Sequence, residues 1–362
     1  MSTHYTYDEL LNKFDIKCDD DTDKELFVSI MNGNFDKQID ETTDPNILFN
    51  IGKYYQFVEK NYDMMKIYYY IAIDGGDTRA MHNLGNYFKE IKDYDMMKKY
   101  YLMSIEKGNT AAMNNLGGYY KEIEKDYDMM KKYYLMAIEK GNTDAMNNLG
   151  FYYYQIEQPD GYNYDMMKKY YLMAIDGGMG NAMNDLGSYY YMIEKNYDMA
   201  KKYFLMAVDR GNDTVKKSAM HNLANYYKDT EKPDGCDYDM MKKYYLMAID
   251  KGNINAMVGL GLYYHTIEKD YDMMKKYYMM AVDNGHSSAI KNLAIYYNNI
   301  EKNYDLAKKY FNMSKLKSAN KEDECMVCYE NKQMYYTSCN RHYICCECSV
   351  KLYNKKCPMC RQ

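Results

Sequence analysis

The end of the chain carries a cluster of cysteine and histidine residues at a spacing that metal sites use. Eight of the ten cysteines follow residue 324. The candidate ligands have the pattern C-x2-C-x10-C-x2-H-x2-C-x2-C-x8-C-x2-C, and they are Cys325, Cys328, Cys339, His342, Cys345, Cys348, Cys357 and Cys360. Thiolate and imidazole are the ligands of tetrahedral zinc, and four such pairs close two sites without an open position for water. The cluster therefore predicts two structural Zn²⁺ ions.

Zinc binding would also explain how so short a segment folds. Residues 325–362 number 38 and have little apolar content, so the metal supplies the folding free energy that a small core lacks. The chain begins without the basic start and apolar run of a signal peptide, so we expect an intracellular protein, in which clustered cysteines indicate metal before disulfides. Cys346 is left over, and an alternative register uses it in place of Cys345.

The ligand pattern, with histidine in fourth place, resembles the RING finger. A PHD finger has its histidine fifth, and the run RHYICC matches the basic box of a FYVE finger only loosely. The resemblance implies a cross-brace, in which Cys325, Cys328, Cys345 and Cys348 hold one zinc and Cys339, His342, Cys357 and Cys360 hold the other. The chain departs from the family in having two residues, Asn340 and Arg341, before the histidine, and in lacking the groove tryptophan.

RING domains mostly act as ubiquitin ligases, and the resemblance implies that activity here. Such a domain holds a ubiquitin-conjugating enzyme and its bound ubiquitin in a reactive pose, without a covalent RING residue. The family's contact surface falls on Val327, Leu352 and Pro358, and Arg361 resembles the arginine that bridges ubiquitin and the enzyme. The competing interpretation is a non-enzymatic zinc scaffold. Because only Gln362 follows Arg361, we expect a monomeric domain or one that dimerises through the rest of the chain.

A unit of about 33 residues recurs along the middle of the chain, as repeat architectures require. One marker is the dipeptide Tyr-Asp, which begins at Tyr62, Tyr94, Tyr127, Tyr164, Tyr197, Tyr238, Tyr271 and Tyr304. A second marker is a small residue after leucine or isoleucine, found at Gly52, Gly85, Gly117, Gly150, Gly187, Ala224, Gly261 and Ala294. Each unit predicts two helices, and the small residue marks a close crossing between them.

The apolar spacing assigns an inward stripe to each helix. In the first helix Ala80, Leu84, Tyr87 or Phe88, and Ile91 share one face. In the second helix Met97, Tyr101 and Ser104 point inward. A glycine ends the second helix at Gly108, Gly141, Gly178 and Gly252. The lysine pairs predict a solvated outer face.

The unit A-x3-LG-x2-Y followed by Y-D-x-A and G-x3-A resembles the Sel1-like branch of the tetratricopeptide repeats. The resemblance implies an all-α fold, an α-solenoid that binds a target protein. A polar residue two positions before the small residue resembles the asparagine with which tetratricopeptide domains hold a peptide; it is Asn83, Asn115, Asn148, Asp185, Asn222 or Asn292. The competing interpretations are a hydrogen bond within the solenoid and an AT-rich codon bias that favours asparagine.

Composition and charge support this organisation. The domains we expect are an acidic segment at 1–45, repeats at 46–316, a linker at 317–324 and the RING-type segment at 325–362. Residues 1–45 carry 4 Lys and 12 Asp or Glu, a net charge of −8, and either form a helical cap or stay a solvated segment. We expect no nucleic-acid partner, because the chain has a net charge of −5 and no basic face. We also expect no membrane contact, because no stretch approaches the roughly 18 apolar residues of a span.

The pairing of such repeats with a RING finger resembles proteins of giant amoeba-infecting DNA viruses. That resemblance implies a target protein in the cytoplasm, which would be the host cytoplasm for a viral chain.

Overall fold

The structure is a computed structural model that describes residues 44–155, 162–229 and 235–314, together with the backbone of three short strands further on. The chain divides into two compact units, Met1–Gly177 and Gly178–Gln362, called unit 1 and unit 2 below. The predicted zinc ligands other than Cys345, and residues 1–43, lie outside the described residues.

Each unit contains four described pairs of antiparallel helices. In unit 1 the first helices are α1 (Pro45–Tyr54), α3 (Thr78–Glu90), α5 (Thr110–Tyr119) and α7 (Thr143–Gln155), and the second helices are α2 (Tyr62–Asp74), α4 (Tyr94–Glu106), α6 (Tyr127–Glu139) and α8 (Tyr164–Asp176). In unit 2 the first helices are α9 (Gly180–Met192), α11 (Asp213–Lys228), α13 (Ile254–Tyr263) and α15 (Ser287–Asn299), and the second helices are α10 (Tyr197–Arg210), α12 (Tyr238–Asp250), α14 (Tyr271–Asp283) and α16 (Tyr304–Met313).

Local sequence signals fix where the second helices begin and end. An aspartate or asparagine caps each one: Asp93 Oδ1 accepts a hydrogen bond from the backbone N–H of Met96 at 3.2 Å, and Asp126 does the same for Met129 at 3.0 Å. After α4 the chain reaches Gly108 with φ at +88°, a conformation that glycine adopts without steric cost. Short π-helical segments extend three first helices, at Tyr55–Glu59, Tyr120–Glu124 and Tyr264–Glu268.

The core of each pair is built from the predicted inward residues. Met97, Tyr101 and Ser104 are fully buried in unit 1, as their spacing predicts. The small residue lies under an aromatic ring of the second helix, since an ideal Cβ on Gly187 would stand 2.8 Å from Cδ1 of Phe204 in unit 2. The prediction of a close helix crossing at this position is therefore confirmed.

One predicted core residue lies elsewhere. The apolar spacing predicts that Ile91 belongs to the buried face of the first helix, but its side chain is 53% exposed. The reason is that α3 ends at Glu90, so Ile91 is the C-terminal cap and no longer follows the helical period. The next residue, Lys92, turns the chain with φ at +62°.

The three strands form a small antiparallel sheet in the order β1-β2-β3. They are β1 (Ser318–Glu324), β2 (Asn331–Tyr336) and β3 (Tyr343–Cys345). The pairing of β1 with β2 is irregular between Ser318 and Glu322. Among the described helices, none is both long and apolar enough to cross a membrane.

Candidate functional site

The polar residues two positions before the small residue form a column along the first helices, which we call the predicted asparagine column. In unit 1 this column links consecutive first helices. Asn115 Nδ2 donates a hydrogen bond to Asn86 Oδ1 at 3.0 Å and lies 3.0 Å from His82 Nε2. Asn148 Nδ2 likewise donates to Asn114 Oδ1 of the preceding first helix at 2.9 Å. The amide groups of both residues are therefore engaged within the fold. We call the surface that these side chains form the inner face.

Tyrosines of the second helices extend through the core, and their hydroxyl groups lie at the same inner face. The ring of Tyr101 is fully buried, and its hydroxyl group donates to Asn86 Oδ1 at 2.6 Å. The hydroxyl group of Tyr69 accepts a hydrogen bond from Asn83 at 3.1 Å and donates to Gln56 at 2.8 Å. Each tyrosine thus fills the core with its ring and joins the polar network with its hydroxyl group.

Unit 2 repeats this arrangement with different members. Asn222 Nδ2 donates to Asn184 Oδ1 at 3.0 Å, and Tyr245 donates to Asn225 Oδ1 at 2.6 Å. Burial raises the pKa of the Tyr278 hydroxyl group to about 12, and Asn292 acts on that pKa in the opposite direction. The inner face is therefore a hydrogen-bonded surface in both units.

Asp185 is the one carboxylate among the predicted column residues. Burial raises its pKa to about 6, and a hydrogen bond with Asn184 acts in the opposite direction. The carboxyl group is thus partly protonated in mildly acidic solution, where it hydrogen-bonds much as an asparagine amide does.

Two histidines of the inner face favour the neutral form. Burial lowers the pKa of His82, and burial is also the main cause of the lowered pKa of His221. A neutral imidazole has one nitrogen donor and one acceptor, so both rings suit a network of amides.

The inner face includes one further repeat position beside the predicted asparagine column. Hydrogen bonds within the solenoid, one of the competing interpretations, are made by Asn83, Asn115, Asn148 and Asn222. Peptide binding by the column stays a prediction. The residue directly after the small residue faces out beside the column. In unit 2 it is polar at Ser188 and Asn225 and apolar at Leu262 and Ile295.

Leu262 and Ile295 are 41% and 43% exposed, so they form an apolar end of the inner face. The repeat pattern assigns these two residues no role. The signal for them in the sequence is their departure from Ser188 and Asn225, the polar residues at the two preceding equivalent positions of unit 2.

The lysine pairs are only partly the solvated face that the sequence predicts. Lys98 Nζ donates to Glu124 of the next pair at 3.2 Å, and Tyr119 donates to the same carboxylate at 2.6 Å. The second lysine of the pair, Lys99, is exposed and lies 5.5 Å from the ring centre of Tyr100. The first lysine therefore joins neighbouring pairs, and the second covers an aromatic ring.

The predicted zinc and ubiquitin-contact residues fall in the part of the chain that the structure leaves undescribed. Of the eight candidate ligands only Cys345 lies in a described strand, where its backbone pairs with Met334. Val327, Leu352, Pro358 and Arg361 lie outside the described residues. Within 44–155, 162–229 and 235–314, no three His, Cys, Asp or Glu side chains are placed to hold a metal ion.

The fold defines a class, that of all-helical repeat proteins built from stacked helix pairs. No protein-family model and no curated protein matches the sequence. Among solved structures, the chain is similar to c5321, a protective antigen of uropathogenic Escherichia coli displaying an SLR fold. That match has a TM-score of 0.56 and 20% identity, and it covers 80% of this chain and 63% of the antigen.

A second similar structure is a Sel1 repeat protein from Oxalobacter formigenes. The TM-score is 0.51 with 21% identity, over 64% of this chain and 97% of that protein. The fold of the described helices is therefore that of Sel1-like repeats, and the predicted α-solenoid is confirmed as a fold. The chain matches just under two thirds of the antigen's length, the 63% given above.

Proposed function

We propose that the chain is a protein-binding repeat protein that holds a target on its inner face and promotes ubiquitin transfer through its C-terminal segment. The observation that supports target binding is the change of chemistry along the inner face of unit 2. Polar side chains at Ser188 and Asn225 are followed, at the same repeat position, by the exposed Leu262 and Ile295.

This change of chemistry suits a peptide segment of a protein. The half-exposed amide groups meet the polar backbone of a bound segment, while Leu262 and Ile295 meet its apolar side chains. Near this apolar end, Gly259 has no side chain because the Tyr245 ring fills the space: an ideal Cβ on Gly259 would be 2.7 Å from Tyr245 Cζ. Apolar anchors rimmed by polar groups are where most binding energy concentrates.

Peptide display tests target binding. The full chain is panned against a random peptide library, and the affinity of an enriched peptide is measured. We expect Leu262→Glu and Ile295→Glu each to weaken binding by about ten-fold or more, as for anchor residues. Leu246→Glu is the matched control, because Leu246 is 42% exposed on a second helix, away from the inner face. Equal effects of all three substitutions would contradict the proposal.

Ubiquitin transfer is supported by the spacing of the eight candidate ligands and by the four residues that match the family's contact surface. Two Zn²⁺ ions would supply the fold of residues 325–362, with no open site for hydrolysis. Val327, Leu352 and Pro358 would hold the conjugating enzyme, and Arg361 would orient ubiquitin. We propose the cytoplasm as the site of this activity, that of the host if the chain is viral. A non-enzymatic zinc scaffold is the second candidate, because ligand spacing supports it equally.

A ubiquitin-discharge assay separates the two candidates. The full chain is mixed with a panel of ubiquitin-charged conjugating enzymes and free lysine. We expect one or more enzymes to discharge ubiquitin faster with the chain than without it. Val327→Ala or Arg361→Ala should reduce that acceleration about ten-fold. Cys346→Ser is the control, since the preferred register leaves Cys346 without zinc. No acceleration by the unaltered chain would favour the scaffold.

A further inference from the structure

In unit 2 the second helix of each pair meets the first helix of the next pair through an aromatic contact at its start. The ring centres of Tyr238 and Tyr263 are 5.2 Å apart, and those of Tyr271 and Tyr296 are also 5.2 Å apart. The tyrosine that begins a second helix is therefore matched by a tyrosine of the following first helix.

A lysine four residues further along the second helix makes the next contact. Lys242 Nζ donates to Glu268 Oε1 at 3.1 Å and lies 5.7 Å from the ring centre of Tyr263. Lys275 likewise lies 5.9 Å from the ring centre of Tyr296. The following first helix thus brings a tyrosine and, five residues later, a glutamate to this lysine.

A buried aromatic residue completes the contact surface. Phe204, Tyr245 and Tyr278 are 1%, 0% and 0% exposed at this position. They lie between the small residue of their own pair and the first helix of the next pair, as the closeness of Gly259 to Tyr245 shows.

The last described second helix, α16, presents the same three positions, and no further helix follows it among the described residues. Tyr304 is 63% exposed and Phe311 is 38% exposed, and Lys308 is exposed as well. Within the described part of the chain, no aromatic ring lies against Tyr304 and no carboxylate lies within 4 Å of Lys308. We call these three residues the terminal face. End repeats usually carry a polar outer surface, which makes an exposed phenylalanine and tyrosine here an exception.

We propose that the terminal face binds the end of an α-helix of a protein partner, one that presents a tyrosine in its last turn and, five residues later, a glutamate in a π-helical turn, as Tyr263 and Glu268 do. The earlier pairs show which helix fits these positions, because Tyr263 and Glu268 of the chain itself have this spacing and occupy the equivalent surface of α12. Charge complementarity agrees, since Lys308 carries a positive charge without a carboxylate partner in the described residues. This surface is distinct from the inner face and is a second binding site.

A helical peptide of the chain's own sequence is the probe. We choose a fluorescently labelled peptide of residues 109–126, which contains Tyr119 and Glu124. It is stapled only within Thr110–Tyr119, so that the π-helical turn Tyr120–Glu124 can form after the α-helix, and its helicity is confirmed by circular dichroism. Fluorescence anisotropy then measures its binding to the full chain. We expect saturable binding that weakens by about ten-fold or more in Lys308→Glu and in Phe311→Ala, as truncation of an anchor does.

Charge reversal in both partners gives a sharper test. The peptide with Glu124→Lys should lose binding to the unaltered chain and regain it with Lys308→Glu. Lys276→Glu is the matched control, because Lys276 is exposed on a second helix and lies 5.4 Å from the ring centre of Tyr277. Leu262→Glu should also leave binding unchanged, which separates this site from the inner face.

Several outcomes would overturn the proposal. The absence of saturable binding up to about 1 mM peptide means that the face takes no such helix. Unchanged affinity in Lys308→Glu and Phe311→Ala places the peptide elsewhere. A dimer of the full chain by light scattering that Phe311→Ala dissociates would assign the face to a second copy instead.

A separate control shows that the variants fold: their helical circular dichroism and thermal midpoint should equal those of the unaltered chain.

Discussion

Gly117 and Tyr134 are packed so closely that no side chain fits between them: an ideal Cβ on Gly117 would stand 2.7 Å from Cδ1 of the Tyr134 ring. The glycine lies on α5 and the tyrosine on α6, so this contact sets the distance between the two helices of one pair. The next residue, Gly118, has only ordinary contact, with its ideal Cβ 3.7 Å from the Tyr134 hydroxyl oxygen.

We therefore expect leucine at these two adjacent positions to have opposite effects. Gly117→Leu should lower the free energy of unfolding by about 2–3 kcal/mol, because the pair must separate to admit the side chain. Gly118→Leu should be neutral or stabilising by up to about 1 kcal/mol, because leucine has the higher helix propensity. Leu262 stands at the position equivalent to Gly118, which shows that leucine fits there. Urea unfolding followed by circular dichroism measures both variants, and equal midpoints would contradict the packing argument.

Removal of one tyrosine hydroxyl group tests the polar network of the inner face. Tyr101→Phe should cost about 1 kcal/mol, because the hydroxyl group donates to Asn86 at 2.6 Å. Phe204 fills the equivalent position in unit 2, so phenylalanine itself is accepted there. Tyr134→Phe is the control, since the Tyr134 hydroxyl group makes no hydrogen bond with the described residues. A Tyr101→Phe midpoint as high as that of Tyr134→Phe would show that the hydroxyl contact contributes no stability.

Asp185 gives the protein a dependence on pH that an amide would remove. Its pKa in the folded chain is about 6, raised by burial above the ordinary 3.8. The folded state therefore holds a proton more tightly than the unfolded state does, and stability falls as the pH rises from about 4 to about 6.

The substitution Asp185→Asn should remove this loss of stability. We expect no difference from the unaltered chain near pH 4 and a gain of about 1–3 kcal/mol at pH 7.5, since a ten-fold change in proton affinity corresponds to about 1.4 kcal/mol. Thermal midpoints measured across this range test the expectation. A gain that is the same at both pH values would show that the carboxyl group does not titrate in this range.

Zinc removal tests the prediction for the end of the chain. We expect about two zinc ions per chain by elemental analysis, because eight ligands complete two tetrahedral sites. A strong chelator should remove them while the helical circular dichroism of the repeats stays nearly unchanged, because the helices are stabilised by their own packing. Cys328→Ser and Cys357→Ser should each lower the zinc content, whereas Cys346→Ser should not. A metal-free chain after purification in zinc-containing buffer would rule out the ligand assignment.

The repeat and its helices follow from the amino-acid sequence alone. The Asp or Asn before the Tyr-Asp dipeptide, the small residue and the terminal glycine each impose a local requirement, namely a capped start, a close crossing and a left-handed end. These requirements act within one pair, so the spacing along the chain is enough to place them. Where a residue follows the end of the helical period, as Ile91 does, the same spacing predicts the wrong face.

The roles of the repeated side chains depend on the neighbouring pair, so they emerge only when the helices are stacked. From the sequence, Asn115 is a candidate either for holding a peptide or for a hydrogen bond within the solenoid, and Lys98 is expected to be solvated. In the structure each is bonded to an adjacent repeat. Phe311 and Phe204 occupy the same place in the repeat, and one is exposed while the other is buried. The difference is whether a following helix covers the ring, a property that the residue's own repeat does not encode.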